Sequence, residues 1–135
     1  MTPAPIARLL GDTRFAIFAA TLLTLPYWSS GFAKLADLGG ALGEARHFGL
    51  EPAALTVALT ILVQIGGSLL IILGRQAWLG AGALGVFTAI ATWIAHPFWQ
   101  VVDPMGRFHE RNTFLEHVGL IGGLMLAAIL RERRT

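Results

Sequence analysis

The side chains of this sequence that could move protons or bind a carbonyl group are few and unevenly placed. His47, His96, His109 and His117 are its four histidines, the residue type whose ordinary titration falls near neutrality. Glu116 adjoins His117, Lys34 ends a long apolar run, and Gln64 stands alone in the middle of another. Lys34, Gln64, His96, Glu116 and His117 form the candidate ligand-binding set, an acid–base cluster with a buried amide. Each has a plainer reading. His96 precedes Pro97 and would satisfy backbone groups at a helix break. Lys34 would snorkel to headgroups, Glu116 would cap a helix, and Gln64 would make an interhelical hydrogen bond worth about 1 kcal/mol. Metal or haem ligation is disfavoured, because no two histidines have the i, i+4 spacing that puts two ligands on one helical face. His109 and Glu116, seven residues apart, would share a face only if their helix began early. With no cysteine, the chain by itself forms no disulfide, dithiol relay or iron–sulfur cluster.

Positioning these groups falls to helices in a membrane. Hydrophobic residues make up 55% of the chain and charged residues 13%, about half the charge of a soluble domain, so part of its surface must face lipid. The net charge of +2 comes without the basic stripe or aromatic–basic interleaving that nucleic acid requires. A bilayer core about 30 Å thick needs about 20 apolar helical residues. Charge-free windows run from Phe15 to Ala33, Pro52 to Gly74 and Gln76 to Val102, with 19, 23 and 27 residues. A fourth window, Asn112 to Leu130, has 19 residues and holds Glu116 and His117 near its start. Runs this long are not barrel strands of about ten residues; they predict helices. Pro97 disfavours helix at the residue before it, so the third span ends at His96. That places His96 at a membrane boundary, with Phe98 and Trp99 in the interface. The expected architecture is all-α: an integral membrane four-helix bundle forming one transmembrane domain over residues 1–135, with spans at about 15–33, 52–74, 76–96 and 112–130.

Local signals refine the boundaries. Thr113 and Glu116 fit a capping box at the start of the fourth span, and the basic tail Arg131, Arg133 and Arg134 ends it. Between spans one and two, Leu38, Leu42, Ala45 and Phe48 recur at helical spacing behind Asp37, a suitable N-cap, and predict a short interfacial helix. Pro52 suits the first residue of the second span. Gly74, Arg75 and Gln76 leave room only for a tight turn between antiparallel neighbours. Small residues form stripes, Gly66 and Gly67, then Ala81, Gly85 and Ala89, then Gly119 and Gly123. Such stripes let helix backbones approach closely, within the chain or against a second copy.

The opening MTPAPIARLLGDTRF carries the basic residues of a signal peptide. The apolar run behind it lacks a small-x-small cleavage site, so it reads as a retained first span. With four spans, Arg8, Arg14, Arg75, Arg131, Arg133 and Arg134 share one side, and Lys34, Arg46, Arg107 and Arg111 the other. Six against four predicts cytoplasmic N- and C-termini. All four histidines then fall on the outer side, so a site here faces outward.

Four segments, in order, resemble signatures of the DoxX family. Ser30-Gly-Phe-Ala-Lys34-Leu35 is similar to its SGxxKL, Gln64-Ile-Gly-Gly67 to its ExGG, and His96-Pro-Phe-Trp99 to its HPFW-like segment. Phe114-Leu-Glu-His117-Val-Gly-Leu-Ile-Gly-Gly123 resembles its final-helix pattern, and the similarity runs over about residues 14 to 130. The resemblance implies a bacterial cytoplasmic-membrane protein from a family linked to quinone-connected sulfur oxidation and membrane thiol-redox complexes. Gln64 stands where many relatives have Glu, which puts a proton-carrying role there in doubt. Glu116 stands where many have Lys, which inverts the charge. The expected function is an accessory or quinone-binding subunit supporting membrane redox chemistry, with a partner oxidoreductase or a second copy beside it. The alternative is a non-enzymatic transporter or channel-like subunit.

Overall fold

The computed structural model describes residues 1–132, which are almost entirely helical and contain no strand. Arg133 and Arg134 of the expected basic tail lie outside the described residues. The helices are α1 (Ala4–Gly11), α2 (Thr13–Ala36), α3 (Leu38–His47), α4 (Ala53–Ile61), α5 (Gly67–Leu73), α6 (Ala77–Ala95) and α7 (Pro104–Glu132). A π turn, Leu62–Gly66, joins α4 and α5, and a short 3₁₀ turn, Phe98–Gln100, follows α6. Four stretches are long and apolar enough to cross a membrane: Thr13–Ala36, Ala53–Leu73, Ala77–Gln100 and Pro104–Glu132. The chain is a multi-pass membrane protein, a four-helix bundle with a short helix, α3, between its first two spans.

The boundaries follow from caps. Asp37 accepts a hydrogen bond from the Gly40 backbone N–H at 3.0 Å and starts α3. α3 buries Ala41 and Ala45 against Ala53 and Val57 of α4 and leaves Leu38 and Phe48 exposed, as an interfacial helix should. Pro52 is the N-cap of α4, whose first residue is Ala53. His96 is the C-cap of α6, with Pro97 directly after it. Gly74, in the left-handed region at φ 70°, closes α5 and makes the tight turn into α6.

The fourth span corrects the capping-box reading. α7 begins at Pro104, so Thr113 and Glu116 are mid-helix and cap nothing. The true start signal is Asp103-Pro104. Asp103 accepts from the Gly106 backbone N–H at 2.8 Å, and Pro104 has the fixed φ that suits a first helical position. At 1.5 Å per residue, the 29 residues of α7 extend about 43 Å, well beyond a core of about 30 Å. The polar stretch from Pro104 to Arg111 is therefore helix projecting out of the membrane, a segment that a search for apolar residues passes over.

Each span turns a narrow inner face toward the others. α2 buries Ala20, Thr24, Tyr27 and Gly31, at spacings of three and four. α6 buries Ala77, Gly80, Ala81, Leu84, Thr88 and Thr92. Large apolar residues such as Phe18, Leu62 and Val86 are exposed, as expected where lipid is the solvent. Gly67 and Gly80 set the closest approach: a Cβ on Gly80 would stand 2.5 Å from the Gly67 carbonyl oxygen. By contrast, nothing lies within 4 Å of where a Cβ would stand on Gly85 or Gly119, so those two stripe positions do not pack inside the chain.

The two ends of the bundle differ. Toward the α5–α6 turn the interior is apolar: Ile71, Leu84 and Leu124 are almost wholly buried in one hydrophobic cluster. Arg131 is buried at this end too, 6% exposed. It donates to the carbonyl oxygens of Ile71 at 3.0 Å and Ile72 at 2.8 Å, in the last turn of α5, where carbonyls run short of helical partners; Ile71 also accepts from the Gly74 backbone N–H. Toward the opposite end, the interior carries polar side chains.

Candidate functional site

The polar end is built where α6 stops and α7 enters. The break at Pro97 ends α6 and leaves the His96 ring free to turn toward α7. Its Nδ1 is 2.7 Å from Glu110 Oε2, and its ring centroid is 5.2 Å from that of His117. Glu110 and His117 are seven residues apart on α7, two turns, and so share a face. His96 therefore meets one partner above and one below. The contact is half-buried, with side chains 26% and 37% exposed for His96 and Glu110. His117 Nδ1 is buried without a hydrogen-bond partner. Aromatic rings roof this region: Trp99 packs against Trp93, Phe98 and Phe114, at centroid separations of 4.9, 5.3 and 5.8 Å.

Deeper in the bundle, Tyr27 Oη and Thr88 Oγ1 share a hydrogen bond of 2.6 Å between α2 and α6. One turn farther toward the histidines, α2 presents Gly31 and α6 presents Thr92. Gly31 lies against Gln64 and Ile65 of the π turn. Gln64 and Thr92 thus stand at nearly one level, each about 95% buried, and both Gln64 Oε1 and Thr92 Oγ1 lack a partner. A π turn inside an α-helix often marks a functional position, and here it carries the one amide of the membrane interior.

Lys34 belongs to a different feature. Its ammonium donates to Ser30 Oγ at 2.8 Å, one turn back on α2. From there it lines a groove of about 400 Å³ between α3, α4 and α6. The walls are mostly apolar, with Val57, Val63, Phe87, Ala91 and Ile94 among them, and Glu44 of α3 stands at the rim with Lys34. The groove reaches Ala95, the residue before His96, and Ala91, the residue before Thr92. Its lining thus includes the sequence neighbours of two residues of the polar interior, Thr92 and His96.

Of the five residues singled out from sequence, the structure joins His96 to His117, sets Lys34 in the neighbouring groove, and buries Gln64 separately. Glu116 is exposed. Glu110 occupies the acidic position beside His96 and was not among the five. Its signal was the Asp103-Pro104 helix start, which brings Glu110 into α7 and so puts it on one face with His117, seven residues on. His47 and His109 are exposed and meet Phe48 and Phe108 edge-on. Among the described residues no group of three or more His, Asp or Glu is placed to hold a metal ion.

A protein-family model, DoxX, matches residues 13–97, more than half of the chain. The matched stretch contains Lys34, Gln64 and His96 and ends before Glu110 and His117. No curated protein and no solved structure matches the chain.

Proposed function

Because the chain belongs to the DoxX family, we propose that it is a small bacterial inner-membrane subunit that binds a quinone and supports the redox chemistry of a partner. The observation that carries this reading is Lys34, held by Ser30 at 2.8 Å inside an apolar groove of about 400 Å³. Small-molecule sites are typically concave and mostly apolar, with a few polar groups that fix orientation. A quinone ring suits such a place: its faces pack on Phe87 and the aliphatic wall, and a carbonyl accepts from the Lys34 ammonium. A bound quinone supplies two-electron carrying capacity, which a chain without cysteine lacks on its own. His96, His117 and Glu110 lie beyond Ala95 at the end of the groove and offer acid–base groups at the membrane boundary. The excess of arginine at the α5–α6 end supports cytoplasmic termini, so groove and histidines open outward. A transport function has less support, since Ile71, Leu84 and Leu124 fill the bundle interior with buried apolar side chains.

The test is quinone binding by the purified full chain, read from solvent extracts and by titration in detergent. Lys34→Met keeps the length of the side chain and removes the donor. A hydrogen bond from a charged group contributes about 1.5–3 kcal/mol, so affinity should fall by at least tenfold while the helical content is retained. If the wild-type chain retains no quinone, or Lys34→Met binds as well as wild type, the reading is wrong.

A further inference from the structure

None of the residues of α1 is buried among the described residues. It is nevertheless helical from Ala4 to Gly11, with an order that an unused tail would not need. Ile6, Leu9 and Leu10 fall at i, i+3 and i+4 and share a face, while Arg8 points the other way. Ile6 and Leu9 are each 49% exposed. One residue, Asp12, separates α1 from the membrane span α2. Asp12 is extended, at φ −78° and ψ 127°, so the axis breaks there and α1 does not prolong the span. Its side chain accepts from the Arg14 backbone N–H at 2.7 Å and fixes the bend. A helix attached this closely to a span cannot leave the membrane boundary.

We propose that α1 lies in the plane of the membrane surface and binds negatively charged phospholipids. Ile6 and Leu9 enter the acyl region, and Arg8 and Arg14 meet the phosphates. The charge of this end favours that partner. Arg14 has a side chain 93% exposed, its Nε 3.7 Å from Asp12 Oδ1 in a surface pair that contributes little and leaves the guanidinium accessible, and Arg75 is exposed in the α5–α6 turn at the same end of the bundle. An amphipathic helix with cations on its polar face binds through buried apolar area together with attraction to anionic lipid, and basic residues near such a surface add to that attraction. The consequence is that anionic lipid sets the depth and rotation of α2, the helix that carries Lys34.

The chain has no cysteine, so Leu9→Cys can be labelled uniquely with an environment-sensitive fluorophore in the full-length protein. In lipid nanodiscs containing phosphatidylglycerol, the label should emit as in an apolar medium and be quenched by lipids spin-labelled just below the headgroup. Arg8→Gln and Arg14→Gln should each raise the ratio of water-exposed to inserted label by roughly fivefold, with little change in discs of phosphatidylcholine alone. A label quenched by aqueous iodide as readily as free dye overturns the proposal. So does insertion that ignores lipid charge and both arginines. Insertion seen only when two copies share a disc would place α1 against a second copy and overturn the lipid assignment.

Discussion

His96 Nδ1 and Glu110 Oε2 stand 2.7 Å apart and tie the end of α6 to the first turns of α7 across the 3₁₀ turn between them. The pair is partly open to solvent, 26% and 37% exposed, so its contribution to stability is modest, about 1 kcal/mol or less. Glu110→Leu should lower the unfolding free energy in detergent by that amount and broaden the His96 ring signals in NMR spectra. Glu110→Gln, which keeps a hydrogen-bonding group, should lose less. Glu116→Gln should change neither quantity, because Glu116 is exposed in mid-helix. A larger loss from Glu116→Gln than from Glu110→Leu would mean that the carboxylate beside His117 in sequence, rather than the one beside His96 in space, supports this end.

Arg131 offers a larger effect at the other end. Its guanidinium donates to the carbonyl oxygens of Ile71 and Ile72 and packs over Gly74, where a Cβ would stand 2.8 Å from Nη2. Arg131→Met strands the Ile72 carbonyl and leaves that of Ile71 with the Gly74 N–H alone; with hydrogen bonds from charged donors at about 1.5–3 kcal/mol each, a loss of about 3–6 kcal/mol is expected. Gly74→Ala also forces an alanine into the left-handed region at φ 70° and should cost about 1–2 kcal/mol. Because both changes disturb one contact, the double variant should lose less than the sum. Additive losses in chemical unfolding would show that the two residues act separately.

These two ends differ in how far the sequence could disclose them. The spans are visible because lipid demands long charge-free runs, and the end of α6 is visible because Pro97 restricts His96. The partner of His96 is not, for a geometric reason. Consecutive helical residues point about 100° apart, so Glu116 and His117 face different ways, whereas Glu110 and His117 face the same way. Adjacency in sequence pointed to Glu116, whereas the carboxylate that meets the His96 ring is that of Glu110. Arg131 reads in sequence as one charge of a basic tail. Its burial depends on the Gly74 turn lying within reach of the end of α7, a relationship between residues about 60 positions apart.

Orientation is open to direct measurement. Val102 is fully exposed in the turn before α7, and Arg75 is exposed in the turn between α5 and α6. In intact cells, Val102→Cys should react with a membrane-impermeant thiol reagent. Arg75→Cys should react only after the membrane is permeabilised. The opposite pattern would put the termini, the arginines and α1 outside, and the groove mouth and histidines on the cytoplasmic side.

Gln64 separates stability from binding most sharply. Its Oε1 is buried with no partner, and a buried acceptor left unsatisfied costs about 1–3 kcal/mol. Gln64→Leu fills similar volume with apolar atoms, so the bundle should be at least as stable as wild type and could gain about 1 kcal/mol. Gln64→Glu should be worse than either, since a carboxylate at this depth is costly to desolvate. Thr92→Val tests the same layer, because Thr92 Oγ1 is also unpartnered. If the two groups serve a ligand in the interior, Gln64→Leu and Thr92→Val should each weaken quinone binding while leaving unfolding unchanged or improved. That trade is what a site held open for a ligand produces, and simple packing does not. If Gln64→Leu instead lowers stability by 1 kcal/mol or more with binding intact, then the amide is an ordinary interhelical tie, and the groove at Lys34 stands as the site without it.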